Sequence, residues 1–352
     1  MSPPDPPTPE KILIIRLSSI GDIVLTTPVI RALRQKYPDI SIDYMIKSEF
    51  RDLVAFHPGI ESVRTIPQRF GVRDLLLLRE QIQRVGEYDW IVDLHDNLRS
   101  RVLTMRGQTP CTRYEKNRFH RWLFVYWKIR TPEIEPYITD RYFDALTPLA
   151  VEDDGKGPDL YFPEDFSFQD PEVAREVDTF RQAGFPVTVA PGAAWKTKQW
   201  PVDRFAALCG ELIEKYGATI ALLGGLDEQS LGEKIVSYLD STPSIHNFIG
   251  KTSLLESAKI VEQTDIHIGN DSGLTHIATA FNKRVVLILG STAKPICFYP
   301  KFTEHTIVED PNLRCRPCTH MGRKRCPLGH FRCMENLQVP RVIEGVERMM
   351  KL

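Results

Sequence analysis

Short apolar runs alternate with longer segments of helical periodicity along most of this chain. Alternation of this kind is typical of parallel β-sheets whose connecting helices cover both faces. In the first half, the predicted strands and helices are, in chain order, Ile12–Ile15, Ile23–Tyr37, Ile40–Ile46, Ser62–Ile66, Leu75–Val85 and Trp90–Leu94. In the second half they are Val187–Ala190, Val202–Tyr216, Thr219–Leu223, Glu228–Leu239, Leu254–Gln263, Asp265–Ile268, Leu274–Phe281 and Val285–Leu289. The sequence therefore predicts an α/β protein with two such series.

The two series are separated by a stretch rich in acids, glycine and proline, Glu152–Pro158. This composition is typical of a linker or insertion, which we place between residues 150 and 172. A chain of 352 residues is long enough for two domains that each bury a core. We predict a disordered tail over 1–10, an N-terminal Rossmann-like domain over 11–165, a C-terminal Rossmann-like domain over 166–335 and a final helix over 336–352.

Composition disfavours several classes of protein. Lys and Arg (45) nearly balance Asp and Glu (46), which argues against a generally basic nucleic-acid-binding protein. No apolar run reaches about 18 residues, the length that a membrane-spanning helix needs. The proline-rich N-terminus lacks the features of a signal peptide, so we expect a cytoplasmic protein. Its seven cysteines should then be reduced or metal-bound.

The turn after the first predicted strand carries Ser18, Ser19, Gly21 and Asp22. A carboxylate at the carboxyl end of such a strand can take a proton from a bound hydroxyl, so Asp22 is a candidate general base. The alternative is that Asp22 only stabilises the first turn of a helix through the helix dipole. The glycine spacing of a dinucleotide fingerprint is absent, which disfavours a nicotinamide-dependent dehydrogenase.

Two loops of the second half carry groups that suit a nucleotide. The loop after Ala190 contains two lysines, Lys196 and Lys198, that can neutralise a phosphate, together with two tryptophans that can line a pocket. After the next strand, Asp227 or Glu228 could hold a ribose diol, and capping of a helix by Asp227 is an equal alternative.

A third loop, Asp271-Ser272-Gly273, opens a predicted helix. Ser272 and the free N–H groups at the start of this helix suit a phosphate. Asp271 is negative, so it suits sugar hydroxyls or a helix cap. His276 lies three residues beyond Gly273, on the same face of the helix, and could reach the same anion.

Together these residues resemble glycosyltransferase family 9, the ADP-heptose:lipopolysaccharide heptosyltransferases. The segments that carry the resemblance are Arg16–Pro28, Lys198–Pro201 and Gly269–Ala278, in this order and at this spacing. The similarity extends from Lys11 over nearly the whole chain. It implies two Rossmann-like domains facing a cleft, the GT-B architecture, with the acceptor on the N-terminal side and the nucleotide sugar on the C-terminal side.

The resemblance also implies a role for each candidate residue. Asp22 matches the general base, and Ser18, Ser19 and Gly21 form the acceptor loop. The nucleotide-sugar-binding residues are Lys198, Asp271, Ser272, Gly273, His276 and Glu228, although the motif does not separate Glu228 from Asp227 as the ribose contact. Many members carry threonine where Ser272 stands, and a serine hydroxyl can make the same hydrogen bond.

The implied activity is inverting transfer of a heptose from ADP-heptose to the inner core of lipopolysaccharide, at a lipid A–Kdo or heptosylated acceptor. No cofactor is required, because Lys198 and a helix N-terminus would stabilise the departing diphosphate. One alternative is a family-9-like transferase with another nucleotide sugar or a protein acceptor. Another is a non-catalytic nucleotide-sugar-binding protein. An epimerase of the same architecture fits the three motifs less well.

A basic and aromatic stretch extends from Arg99 to Arg130, and Glu115 is its only acid. A partly buried helix whose arginines reach out to solvent would explain this stretch. Given the resemblance, we favour a face for an anionic lipid-linked acceptor or for the inner-membrane surface. The protein would then be peripheral on the inner face of the inner membrane. No nucleic-acid-binding motif accompanies the basic residues, so we expect no nucleic-acid partner.

Cys315 and Cys318 form a C-x-x-C pair, which Cys326 and Cys333 follow. Four thiols that begin with this pair resemble a structural zinc site. The second pair is too widely spaced for a zinc ribbon, so we favour packed free thiols or oxidised ones over a structural zinc. The predicted reaction uses no metal.

Overall fold

The structure is a computed structural model that describes residues 8–69, 71–84, 86–105, 107–239, 242–296 and 298–351. Its strands are β1 (Lys11–Ile15), β2 (Ser41–Lys47), β3 (Ser62–Ile66), β4 (Trp90–Asp93), β5 (Cys111–Arg113), β6 (Phe185–Ala190), β7 (Ala218–Leu222), β8 (Ile245–Asn247), β9 (Ile266–Asn270), β10 (Arg284–Ile288) and β11 (His305–Val308). Its α-helices are α1 (Ile20–Val24), α2 (Thr27–Lys36), α3 (Val72–Ile82), α4 (Leu98–Thr104), α5 (Arg118–Trp122), α6 (Ile138–Asp144), α7 (Pro171–Gln182), α8 (Val202–Tyr216), α9 (Gln229–Ser237), α10 (Leu254–Glu262), α11 (Gly273–Ala280), α12 (Arg332–Glu335) and α13 (Val339–Met350). None of the helices among these residues is long and apolar enough to cross a bilayer.

The chain divides into two compact units. The first comprises the residues up to Asn117 together with Pro136–Pro163, and the second comprises Arg118–Glu135 and the chain from Glu164 onward. The chain thus leaves the first unit for the last time after Pro163, close to the predicted domain boundary at 165. The prediction placed Arg118–Glu135, which we call the arm, in the first domain, whereas its packing places it in the second unit. Of the predicted tail, residues 1–7 lie outside the described residues.

The arm belongs to the second unit because its apolar and polar groups find partners there. Val125 is buried against Ile296 in a small apolar cluster. Where the helical part of the arm ends, the Lys128 ammonium donates to the carbonyl oxygens of Cys315 at 3.3 Å and Pro317 at 2.5 Å. Burial lowers the pKa of Lys128. This lysine therefore fastens the arm to the cysteine-rich segment 315–333.

The first unit contains a wholly parallel sheet with the strand order β3-β2-β1-β4-β5. Ile12–Ile15 of β1 and Ile91 and Val92 of β4 are fully buried, as expected for central strands covered on both faces. The chain reverses its direction of travel across the sheet between β1 and β4. Open α/β sheets bind ligands at such a switch point, outside the carboxyl ends of the strands. The loops after β1 and β4 are thus the places to search for a site.

The second unit contains another parallel sheet, with the order β11-β10-β9-β6-β7-β8. Its switch point lies between β6 and β9. Asn270, at the end of β9, is fully buried and joins the two loops that follow these strands. Its amide donates to the Pro191 carbonyl at 2.8 Å and accepts from the Trp200 backbone N–H at 3.1 Å. The loop that carries Lys198 is therefore held beside the start of α11.

One predicted helix, Ile23–Tyr37, is interrupted in the structure. It is divided into α1 and α2 by a turn at residues 25 and 26. Pro28 has no N–H with which to continue the helical hydrogen bonds, and it stands in the first turn of α2. The Thr26 hydroxyl donates to the Ile23 carbonyl at 2.7 Å and so satisfies the end of α1. The break makes α1 a short element that carries Asp22.

Candidate active site

Asp22 lies in the first turn of α1, at the switch point of the first sheet. The Arg16 guanidinium contacts one carboxylate oxygen at 2.5 Å. The hydroxyl and backbone N–H of Ser19 donate to the other oxygen at 2.6 and 3.2 Å. The Asp22 side chain is 18% exposed. Asp22 is thus fixed in orientation, and part of its side chain is exposed to solvent.

Arg16 is the centre of this site, and the sequence did not predict its role. It is 4% exposed, and it donates to the carbonyl oxygens of Ser18 and Leu94. Its guanidinium lies 6.0 Å from the ring centre of Tyr114 and 5.7 Å from that of Tyr142. Burial opposes its charge, but Asp22 and the two tyrosines raise the pKa of Arg16 above its ordinary value. Arg16 therefore stays protonated.

His95 is a second neighbour that sequence reasoning missed. It follows β4, whose Asp93 stands beside Ile15 of β1, so the sheet brings it to the Arg16 loop. The side chain is buried, and its Nδ1 has no partner among the described residues. Burial, followed by the charge of Arg16, lowers the pKa of His95 to about 3. Its imidazole is thus neutral at physiological pH. The sequence signal that could have identified His95 is its position just after a strand that is central to the sheet.

The second cluster is built around Lys198, which ends a short 3₁₀ turn after β6. Its ammonium lies 2.7 Å from the carboxylate of Asp271, and both side chains are largely buried. The Thr292 hydroxyl donates to the same carboxylate oxygen at 3.2 Å. The two predicted residues are therefore in contact although they are distant in sequence. The pair holds a charged ammonium at the switch point of the second sheet.

Ser272 precedes α11 at the position that normally caps a helix, yet its side chain makes no capping hydrogen bond. Its hydroxyl oxygen is buried and has no partner among the described residues. Gly273 begins α11, whose first N–H groups lack intrahelical acceptors. A buried, unpartnered hydroxyl beside a helix N-terminus suits an anion. One turn further along α11, His276 is buried, with its ring centre 6.4 Å from that of Phe298.

Glu228 and Asp227, which the sequence left as alternatives, differ in their surroundings. Asp227 is exposed. The Glu228 carboxylate accepts from the Gly225 N–H at 3.1 Å and lies against Gly192 of the Lys198 loop, where an added Cβ would stand 1.8 Å from its oxygen. Burial raises the pKa of Glu228. Gly192 is thus the residue that leaves room for Glu228, and the structure brings Glu228 to the second cluster.

Comparisons with known proteins place this arrangement in a family. The sequence model of glycosyltransferase family 9 (heptosyltransferase) matches residues 77–328. The chain belongs to glycosyltransferase family 9. Lipopolysaccharide heptosyltransferase 3 of Escherichia coli K12 is 25% identical over 300 residues, which cover 82% of this chain and 84% of that protein.

Solved structures of family-9 proteins have the same fold. The glycosyl transferase family 9 protein from Veillonella parvula superposes with a TM-score of 0.75 at 18% identity, over 97% of both chains. E. coli ADP-heptose lps heptosyltransferase II superposes with a TM-score of 0.71 at 21% identity, over 97% of this chain and 98% of that one. The predicted fold class and family are confirmed, and the chain is a glycosyltransferase.

The cysteine-rich segment of this family-9 enzyme does not present a metal site in the part of the chain that the structure describes. No three His, Cys, Asp or Glu side chains there are arranged to hold an ion. Cys315 Sγ lies 3.9 Å from His330 Nε2. Burial, followed by the neighbouring thiol of Cys318, raises the pKa of Cys333 to about 12.

The basic stretch of the family-9 enzyme is less uniformly positive than its sequence indicates. Acids outside the stretch pair with its arginines: Arg101 contacts Asp96 at 2.6 Å and Arg113 contacts Asp93 at 3.2 Å. Arg106 lies outside the described residues. What distinguishes the arm is its exposed aromatic side chains: Phe119, Trp122, Tyr126 and Trp127.

Proposed function

We propose that this enzyme transfers a heptose from ADP-heptose to the inner core of lipopolysaccharide, with inversion at the anomeric carbon. The proposal is supported by the family and by its E. coli relatives, which are a lipopolysaccharide heptosyltransferase 3 and an ADP-heptose lps heptosyltransferase II. The acceptor would be an anionic lipid-linked saccharide, either lipid A–Kdo or an already heptosylated core.

The observation that carries this proposal is the Lys198 cluster. A diphosphate gains negative charge as its bond to the sugar breaks, and a cation and oriented N–H groups stabilise that charge. The Lys198 ammonium, the buried Ser272 hydroxyl, which has no partner among the described residues, and the N-terminus of α11 provide these groups. Asp271, which holds the ammonium, would also accept from the donor sugar. Glu228 would accept from the ribose hydroxyls.

Asp22 would act on the acceptor. Because Arg16 and Ser19 occupy defined lone pairs of its carboxylate, the remaining exposed part can accept the proton of an acceptor hydroxyl. The acceptor oxygen then forms a bond to the anomeric carbon. The bond between this carbon and the diphosphate oxygen breaks, and its electron pair leaves with ADP. Each unit would thus supply one part of the reaction.

A donor screen tests the proposed substrates. The protein is incubated with defined lipopolysaccharide precursors and with ADP-heptose or other nucleotide sugars, and both the released nucleoside diphosphate and the product mass are measured. We expect turnover with ADP-heptose and a product heavier by one heptose. Turnover only with another sugar or with a protein acceptor would replace the proposal, and binding without turnover would identify a non-catalytic binding protein.

The role of Asp22 is tested by Asp22→Asn. Removal of a general base should lower kcat by about 10²- to 10⁴-fold, while ADP affinity, which depends on the other unit, stays within about two-fold. Asp74→Asn is the matched control, since Asp74 also accepts from the N-cap N–H of its helix, at 2.8 Å from Gly71. Near-normal turnover of Asp22→Asn, or lost ADP affinity measured by calorimetry, would contradict the assignment.

The arm supports a second part of the proposal, that the protein is cytoplasmic and binds the inner face of the inner membrane. Phe119 stacks on Trp122 with ring centres 6.2 Å apart, and Trp122 also lies near Tyr126 and Trp127. These aromatic side chains are exposed, although the opposite side of the arm already contributes to the apolar cluster. Exposed aromatic residues with arginines between them suit the interface of an anionic bilayer.

Membrane binding is tested by sedimentation with vesicles that contain phosphatidylglycerol. Trp127→Ser, at a side chain that is 65% exposed, should reduce the bound fraction, because an aromatic group no longer enters the interface. Tyr238→Ser is the control, since Tyr238 is 61% exposed elsewhere in the same unit. Lys128 is unsuitable for this test, because it fastens the arm. Equal binding of both variants and the wild type would refute the role of the arm.

A further inference from the structure

The second unit contains a cavity of about 610 Å³ that the proposed reaction does not use. It lies beside the start of α8, and its wall also includes residues of α9 and of the cysteine-rich segment. The residues that we assign to the nucleotide sugar, including Lys198, are absent from its lining. Cavities of this size are typical of sites for small molecules.

The charge of this cavity is one-sided. Four cationic side chains line it, and the lining contains no carboxylate: Lys196, Lys234, Lys324 and Arg325. None of the four side chains forms an ion pair with a residue that the structure describes. Lys196 is within electrostatic range of the Glu228 carboxylate, outside the lining, but none of the four has an ion-pair contact with a described residue to offset the charge of its neighbours. Like charges that converge in this way repel one another, and walls of low dielectric strengthen their field. A bound anion would relieve this repulsion.

The other lining groups indicate the rest of the ligand. Trp200 and Phe205 are buried and Phe331 is partly buried, and all three contribute to an apolar wall. The polar side chain of Thr197 is already satisfied, since it accepts from Ser291 and from the Arg323 N–H. The Gln199 amide donates to the Ala193 carbonyl at 2.7 Å. Cationic groups therefore dominate the polar part of the lining, and most of the rest is apolar.

The cavity shares one loop with the Lys198 cluster. Successive residues of a 3₁₀ turn point in directions about 120° apart. Lys198 therefore turns to Asp271, while Lys196 and Thr197, from the same turn, line the cavity. This geometry separates the two sites although one loop contributes to both.

We propose that this cavity binds a phosphate-bearing compound whose organic part lies on the apolar wall. The four cations would hold the phosphate, and Trp200 and Phe331 would contact the organic part. A soluble phosphate compound and a phospholipid headgroup share this chemistry. The site is additional to the donor site, and neither depends on the other for its evidence.

Calorimetry on the full chain tests the site, with inorganic pyrophosphate as the probe. We expect two binding events in the wild-type protein. Lys324→Glu/Arg325→Glu should weaken one event at least about ten-fold, since each reversal replaces attraction by repulsion, and should leave ADP affinity unchanged. Arg181→Glu/Arg341→Glu, an equal charge change at exposed positions outside the cavity, should leave both events intact. Lys198→Ala should remove the other event only.

A single pyrophosphate event that only Lys198→Ala weakens would overturn the proposal, and so would two events that the Lys324→Glu/Arg325→Glu variant leaves unchanged. Competition then identifies the source of the phosphate. Dihexanoylphosphatidylglycerol below its micelle concentration should displace pyrophosphate from this site if the ligand is a lipid headgroup. If it does not, a soluble phosphate compound is the ligand.

Discussion

Arg16 gives the most direct test of the first site. Arg16→Met keeps most of the side-chain volume but removes the charge and every donor. Asp22 then loses its ion-pair partner, and the carbonyls of Ser18 and Leu94 lose a donor each. Breaking a buried ion pair costs about 3–5 kcal/mol. Because water can reach Asp22, we expect the lower value, about 3 kcal/mol.

Hydrogen exchange followed by mass spectrometry measures this cost in the first unit alone. With a factor of ten for each 1.4 kcal/mol, exchange in β1 and β4 should become roughly a hundredfold faster in Arg16→Met. Arg16→Lys is the matched control, because it keeps a positive charge for Asp22 but lacks the forked guanidinium that reaches three acceptors. Its loss of stability, and so its increase in exchange rate, should be smaller. An increase in exchange rate below about five-fold in Arg16→Met, or equal increases in both variants, would refute this account.

Two further predictions concern the second cluster and the buried histidines. Glu228→Gln should weaken ADP binding about ten-fold in calorimetry, whereas Asp227→Asn, at an exposed carboxylate, should not; the reverse order would exchange their assignments. Burial lowers the pKa of both His95 and His267 to about 3, so between about pH 6.5 and 3 the unfolded chain binds protons that the folded chain does not. As the pH is lowered through this window, the free energy of unfolding should therefore decrease by up to about 1.4 kcal/mol per pH unit for each histidine. The urea midpoint should decrease less steeply with falling pH in His95→Gln than in the wild type. Equal slopes would contradict the pKa shift of His95.

Most of the long periodic elements were predicted from the sequence, but the twelve-residue helix α7 was missed, and of the four edge strands only β3 was predicted. Helix α8 has the predicted bounds, because Pro201 precedes it and Gly217 ends it in a left-handed conformation at φ 62°. The strands β5, β8 and β11 were missed. They have three or four residues each, and they lie at or next to the edge of a sheet with partly exposed side chains. Such strands lack the continuous apolar run that reveals a buried strand.

The candidate site was predictable only as separate loops. Asp22, Lys198 and Asp271 stand out because each follows a strand, but their partners depend on which strands are adjacent. The sequence analysis assigned no role to Arg16, whereas its burial beside Asp22 in the structure gives it one. His95 reaches the same loop only because β4 lies beside β1 in the sheet. Pairing between distant strands is set by tertiary structure, which local patterns do not encode.

The arm affects how the protein folds as it is synthesised. Lys128 leaves the ribosome 187 residues before the Cys315 carbonyl that receives its hydrogen bond. At 5–20 residues per second, this delay is roughly 10 to 40 s. For most of that time Val125 has no Ile296 to cover it, although the first sheet is already complete. The nascent chain thus presents an uncovered aromatic helix that chaperones can bind. Because the second unit contains segments from both halves of the chain, neither half of the coding sequence, expressed alone, specifies a complete second unit.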